Sequence, residues 1–598
     1  MVHASEPPNE AAPLLWPAAN ETESGPESSA RWWNRNAGAL PTAFLVAWVI
    51  GLNEGYIMNI NTTYIGKGLN KMQQGVLIIL LPRVPSAIVP PLVPFLRRHF
   101  SGRSSMLIGA VTVAFGLFGS FAAGSWCLLW PLLLAQSVSS CGIGLLNLLT
   151  LLVVREAATD PRDFPKYRAW YTSFMMFGKA AGALGGTALI EYSGPARLPK
   201  HGQPWQTPFL VAFGFAVTLV GVIYLSPSQG RLEDESSAGT VCLDWVETGL
   251  ISLFTITPIA LCGVLVRWGI RVGYLAIALP LMIVFLFAIG LIRWLRGTKT
   301  LYSAKVISSN PILLVLARAT LSAVVQTLLY RLPLHAQIST MMETEPDKQD
   351  LHRGHGSRSQ ACNGNVHIPD FKQNVMLPVY YVGQLAGEAI AAAGIHIVGH
   401  EAIPLGISLS VYFVVVQLLG NGAIGHLSGA HWGQKLASVP IIMTLLAGIA
   451  NGSADNCLSS FLFAAVDGAD RPAAETLSSL ASNIMGPVAV AFASLRYEAL
   501  LKNDLVCKYG QEEGHRVAKT VLNNISAVDG FSNDQRDVIL RYARKAVERN
   551  IWEIDYGLLV GIVTALVLSW KDSAGPAAQL FRWASSRANY WIEAGPES

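Results

Sequence analysis

The sequence predicts an all-α polytopic membrane protein, and three features of the chain lead to that fold class. Charged residues make up 14% of the 598 residues, against about 25% in an average soluble protein. The mean hydropathy is +0.39. Apolar stretches of about twenty residues, the length that crosses a bilayer as a helix, recur along the chain. A chain of this composition cannot cover itself with polar surface as soluble domains do.

Fourteen stretches are predicted to span the membrane, arranged as six spans, two further spans and six more. The first six lie near residues 41–60, 74–95, 104–124, 128–154, 168–190 and 207–226. The extra two lie near 243–265 and 272–294, and the last six near 310–336, 374–394, 402–424, 436–458, 473–497 and 551–570. We therefore expect two six-helix halves, 41–226 and 310–570, joined by a linker with two extra spans, 227–309.

Four polar segments flank or interrupt the spans. They are a disordered cytosolic tail at 1–40, an insert at 337–372, a long outer loop at 498–550 and a cytosolic tail at 571–598. The insert contains His352, His355, Cys362 and His367, but neither their spacing nor a paired motif supports a metal site, so a solvated insert is expected. The outer loop is expected to be helical in part and amphipathic, as a cap at the membrane surface.

Several classes of function are excluded. A net charge of +4 without a Lys/Arg-rich block argues against nucleic-acid binding. The seven cysteines form no C-x-x-C pair, so neither a disulfide framework nor a zinc site is expected. No Walker motif G-x-x-x-x-G-K-[ST] and no H-E-x-x-H or G-x-S-x-G motif occurs. An ATP-driven pump and a membrane-embedded enzyme are therefore disfavoured, and no metal or cofactor is expected.

The orientation follows from the distribution of Lys and Arg in the short loops. These residues are more frequent in the loops on the side of the N-terminus, which predicts that both termini are cytosolic. The sequons at Asn61 and Asn524 would then face outward, where glycosylation can occur.

Six charged residues are singled out in the middle of predicted spans, where a charge costs roughly 2.5–3.5 kcal/mol on insertion scales. They are Glu54 in span 1, Arg83 in span 2, Lys179 in span 5, Arg318 in span 9, Glu388 in span 10 and Asp455 in span 12. Each could belong to a structural ion pair or lie near a membrane edge. As a set they favour a polar cavity, in which the three carboxyl groups are candidates for reversible protonation.

Uncharged polar and aromatic residues on the same spans are weaker candidates for a binding site. The amides are Gln136 and Asn147 on span 4 and Asn451 and Asn456 on span 12. Tyr330, Tyr380 and Tyr381 could form aromatic walls. Hydrogen bonds between helices and anchoring at the membrane interface explain the same residues without any ligand.

Span 5 contains a stripe of small residues. Gly178, Gly182 and Gly186 recur every four residues, with Gly185 beside them, so they lie on one side of a helix. Such a stripe allows another helix to approach closely.

The layout and several segments resemble the fourteen-span drug:proton antiporter branch, of fungal type, of the major facilitator superfamily. LDWVETGLISL (243–253) resembles the start of the branch's extra pair, and 310–337 resembles its ninth span. Residues 472–495, the long outer loop and the last span together resemble its C-terminal end. GKAAGALGG (178–186) is similar to the antiporter signature of span 5 without its proline. The resemblance implies that spans 1, 2, 4, 5, 9, 10, 12 and 13 line a central cavity.

Two other signatures of the superfamily are incomplete. His99 stands where the loop signature after span 2 has an aspartate, and Gln136 stands at the arginine of the span 4 signature, which the family associates with proton coupling. The resemblance implies a secondary transporter, with proton-coupled export of a drug or secondary metabolite from the cytosol. A vacuolar carrier of basic amino acids and a transport-dead sensor on the same fold remain alternatives. The expected partners are a small-molecule substrate, protons and the lipid bilayer.

The N-terminal tail contains a candidate sorting signal. In EAAPLL, Glu10 is followed by Leu14 and Leu15, which resembles the acidic dileucine signal that adaptors bind on cargo for lysosome-like vacuoles. The vacuolar membrane is slightly favoured for this reason, with the plasma membrane as the alternative.

Overall fold

The computed structural model describes most of the apolar part of the chain. The described residues are 39–60, 75–89, 102–125, 128–157, 164–192, 204–225, 245–268, 280–291, 309–343, 375–398, 402–420, 438–466 and 470–571, with a few isolated positions between them. Within these ranges the regular elements are helices. The insert at 337–372, apart from its first residues, lies outside them, as do Glu10, Leu14, Leu15, Asn61 and His99.

The helices are numbered α1–α15 in chain order. The first half contains α1 (Ala39–Ile60), α2 (Val76–Ile88), α3 (Gly102–Ser125), α4 (Leu129–Ala157), α5 (Phe164–Tyr192) and α6 (Thr207–Leu225). The middle pair is α7 (Trp245–Trp268) and α8 (Pro280–Leu291). The second half contains α9 (Ser309–Glu343), α10 (Met376–Val398), α11 (Ala402–Gly420), α12 (Ser438–Ala464), α13 (Arg471–Tyr509), α14 (Gln511–Asn523) and α15 (Asn533–Lys571).

Each predicted span overlaps one of these helices. Within the described residues, 10 helices are long and apolar enough to cross a membrane, and the described parts of α2 and α8 are shorter apolar helices. The protein is therefore an all-α polytopic membrane protein, as predicted, and the count of fourteen spans stays a prediction.

The outer surface of the bundle is apolar, as contact with lipid requires. α6 packs through Ala212, Ala216 and Leu219, while its Leu225 is 82% exposed. On α3, Phe115 is 70% exposed. Soluble proteins rarely expose continuous apolar surface of this kind, and helices that satisfy their own backbone hydrogen bonds are stable in lipid.

The two halves have matching internal contacts. In the first half α1 packs against α5, α2 against α4, and α3 against both α4 and α6. In the second half α9 packs against α13, α10 against α12, and α11 against both α12 and α15. The halves meet where α5 contacts α10 and α2 contacts α13, and α7 lies against α2 and α13. The extra pair thus borders the junction between two equivalent six-helix units.

Two glycines of the α5 stripe lie where another helix approaches closely. A Cβ atom on Gly178 would lie 2.6 Å from the carbonyl oxygen of Trp48, and one on Gly182 would overlap the carbonyl oxygen of Leu52. Both partners belong to α1, so the backbones of α1 and α5 touch. Gly185 has no atom within 4 Å of such a Cβ and lies outside the contact.

The second half has a similar contact, at glycines that the sequence analysis did not single out. Cβ atoms on Gly383 and Gly387 of α10 would meet the backbone of α12, and those on Gly448 and Gly452 of α12 would meet the backbone of α10. Each half therefore contains helices in direct backbone contact.

We expect Gly182→Leu to lower expression and thermal stability sharply. The added side chain has no space beside Leu52, and overpacking costs about 1–3 kcal/mol. Gly185→Leu is the matched control, because the same substitution three residues away enters open space. Fluorescence-detected size-exclusion chromatography with a melting curve measures both variants, and equal stability of the two would contradict the prediction.

Residues 498–550 form a packed helical cap rather than an irregular loop. They comprise the end of α13, α14, a 3₁₀ segment at Ile525–Gly530 and the first part of α15. α14 packs against α13 and buries Val517, Ala518 and Val521. Arg536 binds Asp529 at 3.3 Å and the carbonyl oxygen of Met341 at 2.6 Å, which fixes the cap to the end of α9. Asn524 caps the C-terminus of α14.

Candidate functional site

A cavity of about 180 Å³ lies between the two halves. Helices α1, α2 and α5 of the first half and α9, α10, α12 and α13 of the second half contribute its walls. The lining residues are Glu54, Met58, Arg83, Lys179, Arg318, Leu321, Ser322, Val325, Gln326, Leu329, Tyr381, Gln384, Asn451, Asp455 and Ser482. Seven of the eight helices expected around a cavity thus line it, and α4 supplies none of these residues.

The wall from the first half is a charge cluster built on Glu54. Oε1 of Glu54 is 3.1 Å from Nη1 of Arg83, and Oε2 is 2.9 Å from Nζ of Lys179. Lys179 also lies 5.9 Å from the centre of the Tyr381 ring of the opposite half. The close approach of α1 and α5 at the glycine stripe brings Glu54 and Lys179 together. One carboxylate therefore serves two cations on this wall.

The wall from the second half is a charge cluster built on Arg318. Its Nε is 2.9 Å from Oδ1 of Asp455, and its Nη1 is 3.3 Å from Oε1 of Glu475. Nη1 of Arg318 also donates to the hydroxyl of Ser478 at 3.3 Å. Arg318 therefore holds α9, α12 and α13 together at the cavity.

An ion pair joins the two halves beside the Arg318 cluster. Nη2 of Arg168 on α5 is 3.4 Å from Oε1 of Glu475 on α13, and its guanidinium lies 5.0 Å from the centre of the Phe463 ring on α12. Arg168 precedes Lys179 by eleven residues on the same helix, a rise of roughly 16 Å. The pair lies toward the N-terminal ends of α5 and α13, where the same oxygen of Glu475 also binds Arg318 of the cavity wall.

Of the seven charged or polar residues proposed for the site, five line the cavity: Glu54, Arg83, Lys179, Arg318 and Asp455. Gln136 does not. Its amide donates to the hydroxyl of Ser120 on α3 at 2.7 Å, because this side of α4 faces α3 rather than the centre. Asn147 of α4 likewise accepts a hydrogen bond from Tyr171 at 2.8 Å.

Glu388 is buried beside the cavity rather than in its wall. It is 3% exposed, and Oε1 of its carboxyl group has no hydrogen-bond partner in the described structure. Its backbone carbonyl accepts a hydrogen bond from Asn456 at 3.0 Å. The charged groups that act on it from neighbouring helices are Asp455 on α12 and Arg168 and Lys179 on α5.

The remaining candidates divide between cavity and packing. Asn451 and Tyr381 line the cavity. Tyr380 instead lies 3.4 Å from the hydroxyl of Tyr412 on α11, and Tyr330 packs beside Arg331. Tyr380 and Tyr381 are adjacent in sequence but lie on different sides of α10, because consecutive side chains of a helix point about 100° apart.

The sequence analysis missed three charged residues. Glu475 and Arg168 lie in the first turns of α13 and α5, where a charge looks like an ordinary membrane-edge residue. Arg331 lies inside the apolar stretch of span 9, so it is a charged residue within a predicted span like the six that were singled out. It is 2% exposed, and no described carboxylate pairs with it. The described residues also contain no group of three or more His, Cys, Asp or Glu side chains placed to hold a metal ion.

Comparison with known proteins gives a likeness at the level of the fold. No family model matches the sequence, and no curated protein matches it. Among solved structures, a bacterial homologue of the human lysosomal transporter Spinster, in an inward-facing and occupied conformation, matches with a TM-score of 0.54 at 12% identity. The match covers 89% of this chain and 96% of that one. The chain has the major facilitator fold.

A second structure agrees with this assignment of the fold, and a third matches with a lower score. The unoccupied inward-facing form of the Spinster homologue matches with a TM-score of 0.53 at 12% identity, over 89% of this chain and 97% of that one. The xylose transporter of E. coli, in a partially occluded inward-open conformation, matches with a TM-score of 0.48 at 13% identity, over 90% of this chain and 99% of that one. In the major facilitator fold of this chain, the charged cavity lies on the junction of the two halves.

Proposed function

We propose that the protein is a secondary active transporter of a small organic molecule, which binds in the cavity between the halves and is exposed alternately to the two sides of the membrane. The observation that carries this proposal is the cavity itself. Side chains that are expensive inside a membrane converge on it from both halves, and intramembrane ionisable groups mark substrate and ion pathways. Substrate sites near the junction of two repeats are the usual arrangement in such transporters.

The packing within the halves supports movement of each half as a unit. Direct backbone contact joins α1 to α5 and α10 to α12, so these helices cannot slide past each other without overlap. Between the halves, the contact of Arg168 with Glu475 and Phe463 consists of side chains. Separation of these side chains would part the two halves at this point while the helix pairs stay intact.

We propose that transport is coupled to protons and that Glu388 is the site that carries the proton. Glu54, Asp455 and Glu475 each have a cation within ion-pair distance, whereas Glu388 forms no ion pair with a described residue. An ionised carboxylate without a partner is expensive to bury, so the protonated form is favoured while Glu388 is buried. Access of water from the opposite side would permit release. Gln136, at the arginine position of the family signature, cannot carry a proton.

Glu388→Gln is expected to keep substrate exchange but to abolish accumulation driven by a pH gradient. The amide resembles the protonated acid, so the binding cavity stays intact while the proton cycle stops. Sealed proteoliposomes with an internal pH-sensitive dye report proton movement on addition of substrate, and counterflow of labelled substrate reports exchange.

Glu388→Asp should retain coupling, and Glu553→Gln is the control. Glu553 pairs with Arg496 on the outer part of α13 and α15, away from the cavity. Accumulation by Glu388→Gln at the level of the unmodified protein would contradict the assignment of the proton site.

Export from the cytosol, by exchange for protons, is the proposed direction of transport, because the layout of the spans resembles the antiporter branch.

The vacuolar membrane is the proposed location, because of Glu10, Leu14 and Leu15. Imaging of a tagged protein with all three residues changed to alanine tests that location, and plasma-membrane signal with and without the change contradicts it. Metabolite profiling of a deletion strain separates an exported metabolite from a basic amino acid. If sealed vesicles show no flux, the transport-dead sensor would be the remaining alternative.

A further inference from the structure

The charges around the cavity are unequally distributed between its two ion-pair clusters. Among the described residues of the first half's wall, Glu54 is the one carboxylate and pairs with both Arg83 and Lys179. This wall carries one positive charge more than its carboxylate can balance. Arg83 and Lys179 are about one fifth exposed or less, so bulk water does not screen the excess as it would at a surface.

The ion-pair cluster around Arg318 is balanced. Asp455 and Glu475 of the second half supply two negative charges, and Arg318 of the second half and Arg168 of α5 supply two positive charges. With Glu388 protonated, as proposed above, the unbalanced positive charge is therefore located at Arg83 and Lys179. Both side chains retain unused donors, because a guanidinium has five N–H groups and an ammonium has three.

The size and polarity of the cavity restrict its ligand. Its volume is about 180 Å³. Pockets for drug-sized ligands are larger, about 300–1,000 Å³, and mostly apolar. Here the lining is about half polar, and amides and hydroxyls from Gln326, Gln384, Asn451 and Ser482 accompany the charged groups.

We propose that the cavity binds a small polar organic acid, with the carboxylate of the ligand placed against Arg83 and Lys179. This inference rests on the proposed function and specifies its substrate class. The ligand's negative charge balances the excess charge, and its oxygens accept charge-assisted hydrogen bonds from both side chains. The amides of Gln384 and Asn451 face the rest of the ligand. A hydrophobic drug and a purely cationic ligand would leave the excess charge uncompensated.

Binding to the purified full-length protein in detergent tests the proposal without a membrane gradient. The probes are small organic carboxylates, each compared with its primary amide and primary amine of the same carbon skeleton. Thermal stabilisation selects binders, and calorimetric titration gives their Kd. Carboxylates should stabilise the protein, and their amides and amines should not.

Charge variants make the test specific to this wall. Lys179→Gln, or independently Arg83→Gln, removes the excess charge and should weaken carboxylate binding about tenfold or more, the effect of one lost hydrogen bond to a charged group. Glu54→Gln raises the excess to two charges and should tighten binding. The double variant Glu54→Gln/Lys179→Gln restores one excess charge and should recover much of the affinity. Arg496→Gln, outside the cavity, should bind normally.

The melting temperature without ligand identifies any variant that fails to bind because it is unfolded. If Lys179→Gln does not fold, Lys179→Arg is measured as the variant that retains the charge. Equal binding of the amides, binding of inorganic phosphate without binding of any carboxylate, or weaker binding by Glu54→Gln would overturn the proposal. Transport of an amine by a protein that binds no carboxylate would overturn it and leave the transporter function. If carboxylates bind, and the charge variants change their affinity as expected, but the protein transports none of them, the transporter function would be overturned and the binding proposal would stand.

Discussion

Arg318→Leu is expected to abolish transport and to reduce the yield of folded protein severely. Arg318 is the cation that holds Asp455 in the described structure, and it shares Glu475 with Arg168. Removal leaves a carboxylate without a partner inside the membrane. Breaking a buried ion pair from one side costs about 3–5 kcal/mol, which is a large part of the stability of a typical fold.

Two additional variants separate charge from packing at this position. Arg318→Lys keeps the charge but cannot bind Asp455, Glu475 and Ser478 in one geometry, so it should fold and transport poorly. Arg318→Leu/Asp455→Leu removes both partners and should recover part of the thermal stability without transport. Melting curves and flux in proteoliposomes measure the two effects. Normal stability and flux in Arg318→Leu would show that the ion pair is dispensable.

Arg331→Leu is expected to lower stability while leaving substrate affinity unchanged. The Arg331 guanidinium donates to the carbonyl oxygen of Ala493 at 2.8 Å and to Oδ1 of Asn550 at 3.1 Å. It also lies 4.7 Å from the centre of the Tyr497 ring. These contacts join α9, α13 and α15 away from the cavity. Loss of hydrogen bonds to a buried charged group costs about 2–3 kcal/mol, so the melting temperature should fall by several degrees.

Arg331→Lys is the control for the geometry of this contact. A lysine retains the charge but lacks the planar fork that reaches both acceptors, so we expect intermediate stability. Substrate Kd, measured on the folded fraction, should be the same for all three proteins. A lower affinity in Arg331→Leu with an unchanged melting temperature would place Arg331 in the binding machinery instead.

The helices were predictable because their signal is local. A helix that crosses a bilayer needs about twenty apolar residues in succession, and each such run in this sequence overlaps a helix of the structure. The contact at Gly178 and Gly182 was predictable for a similar reason, since small residues at a spacing of four allow close approach whatever the partner is. The partner, α1, was not predictable, because the glycines carry no information about the helix that faces them.

The intramembrane charges were found from the cost of burying a charge, which depends only on a residue and its span. Their roles depend on the rotation of each helix about its axis. Gln136 was expected at the cavity and instead bonds to Ser120 of α3, since its side of α4 faces outward from the centre. Glu388 and Glu54 are both acidic residues inside apolar spans. The Glu388 carboxyl group forms no described ion pair and its Oε1 has no described hydrogen-bond partner, whereas Glu54 pairs with two cations.

The sequence alone therefore determined that the chain is a helical membrane protein with ionisable groups in its interior, because hydrophobic length and charge cost are properties of single segments. The tertiary structure decided which charges meet. Glu475, Arg168 and Arg318 come from three helices far apart in the chain, and an ion pair forms only where packing brings atoms within about 4 Å. The excess positive charge at Arg83 and Lys179 is likewise a property of the assembled wall, since it appears only after Glu54, Asp455 and Glu475 have been assigned to their cations.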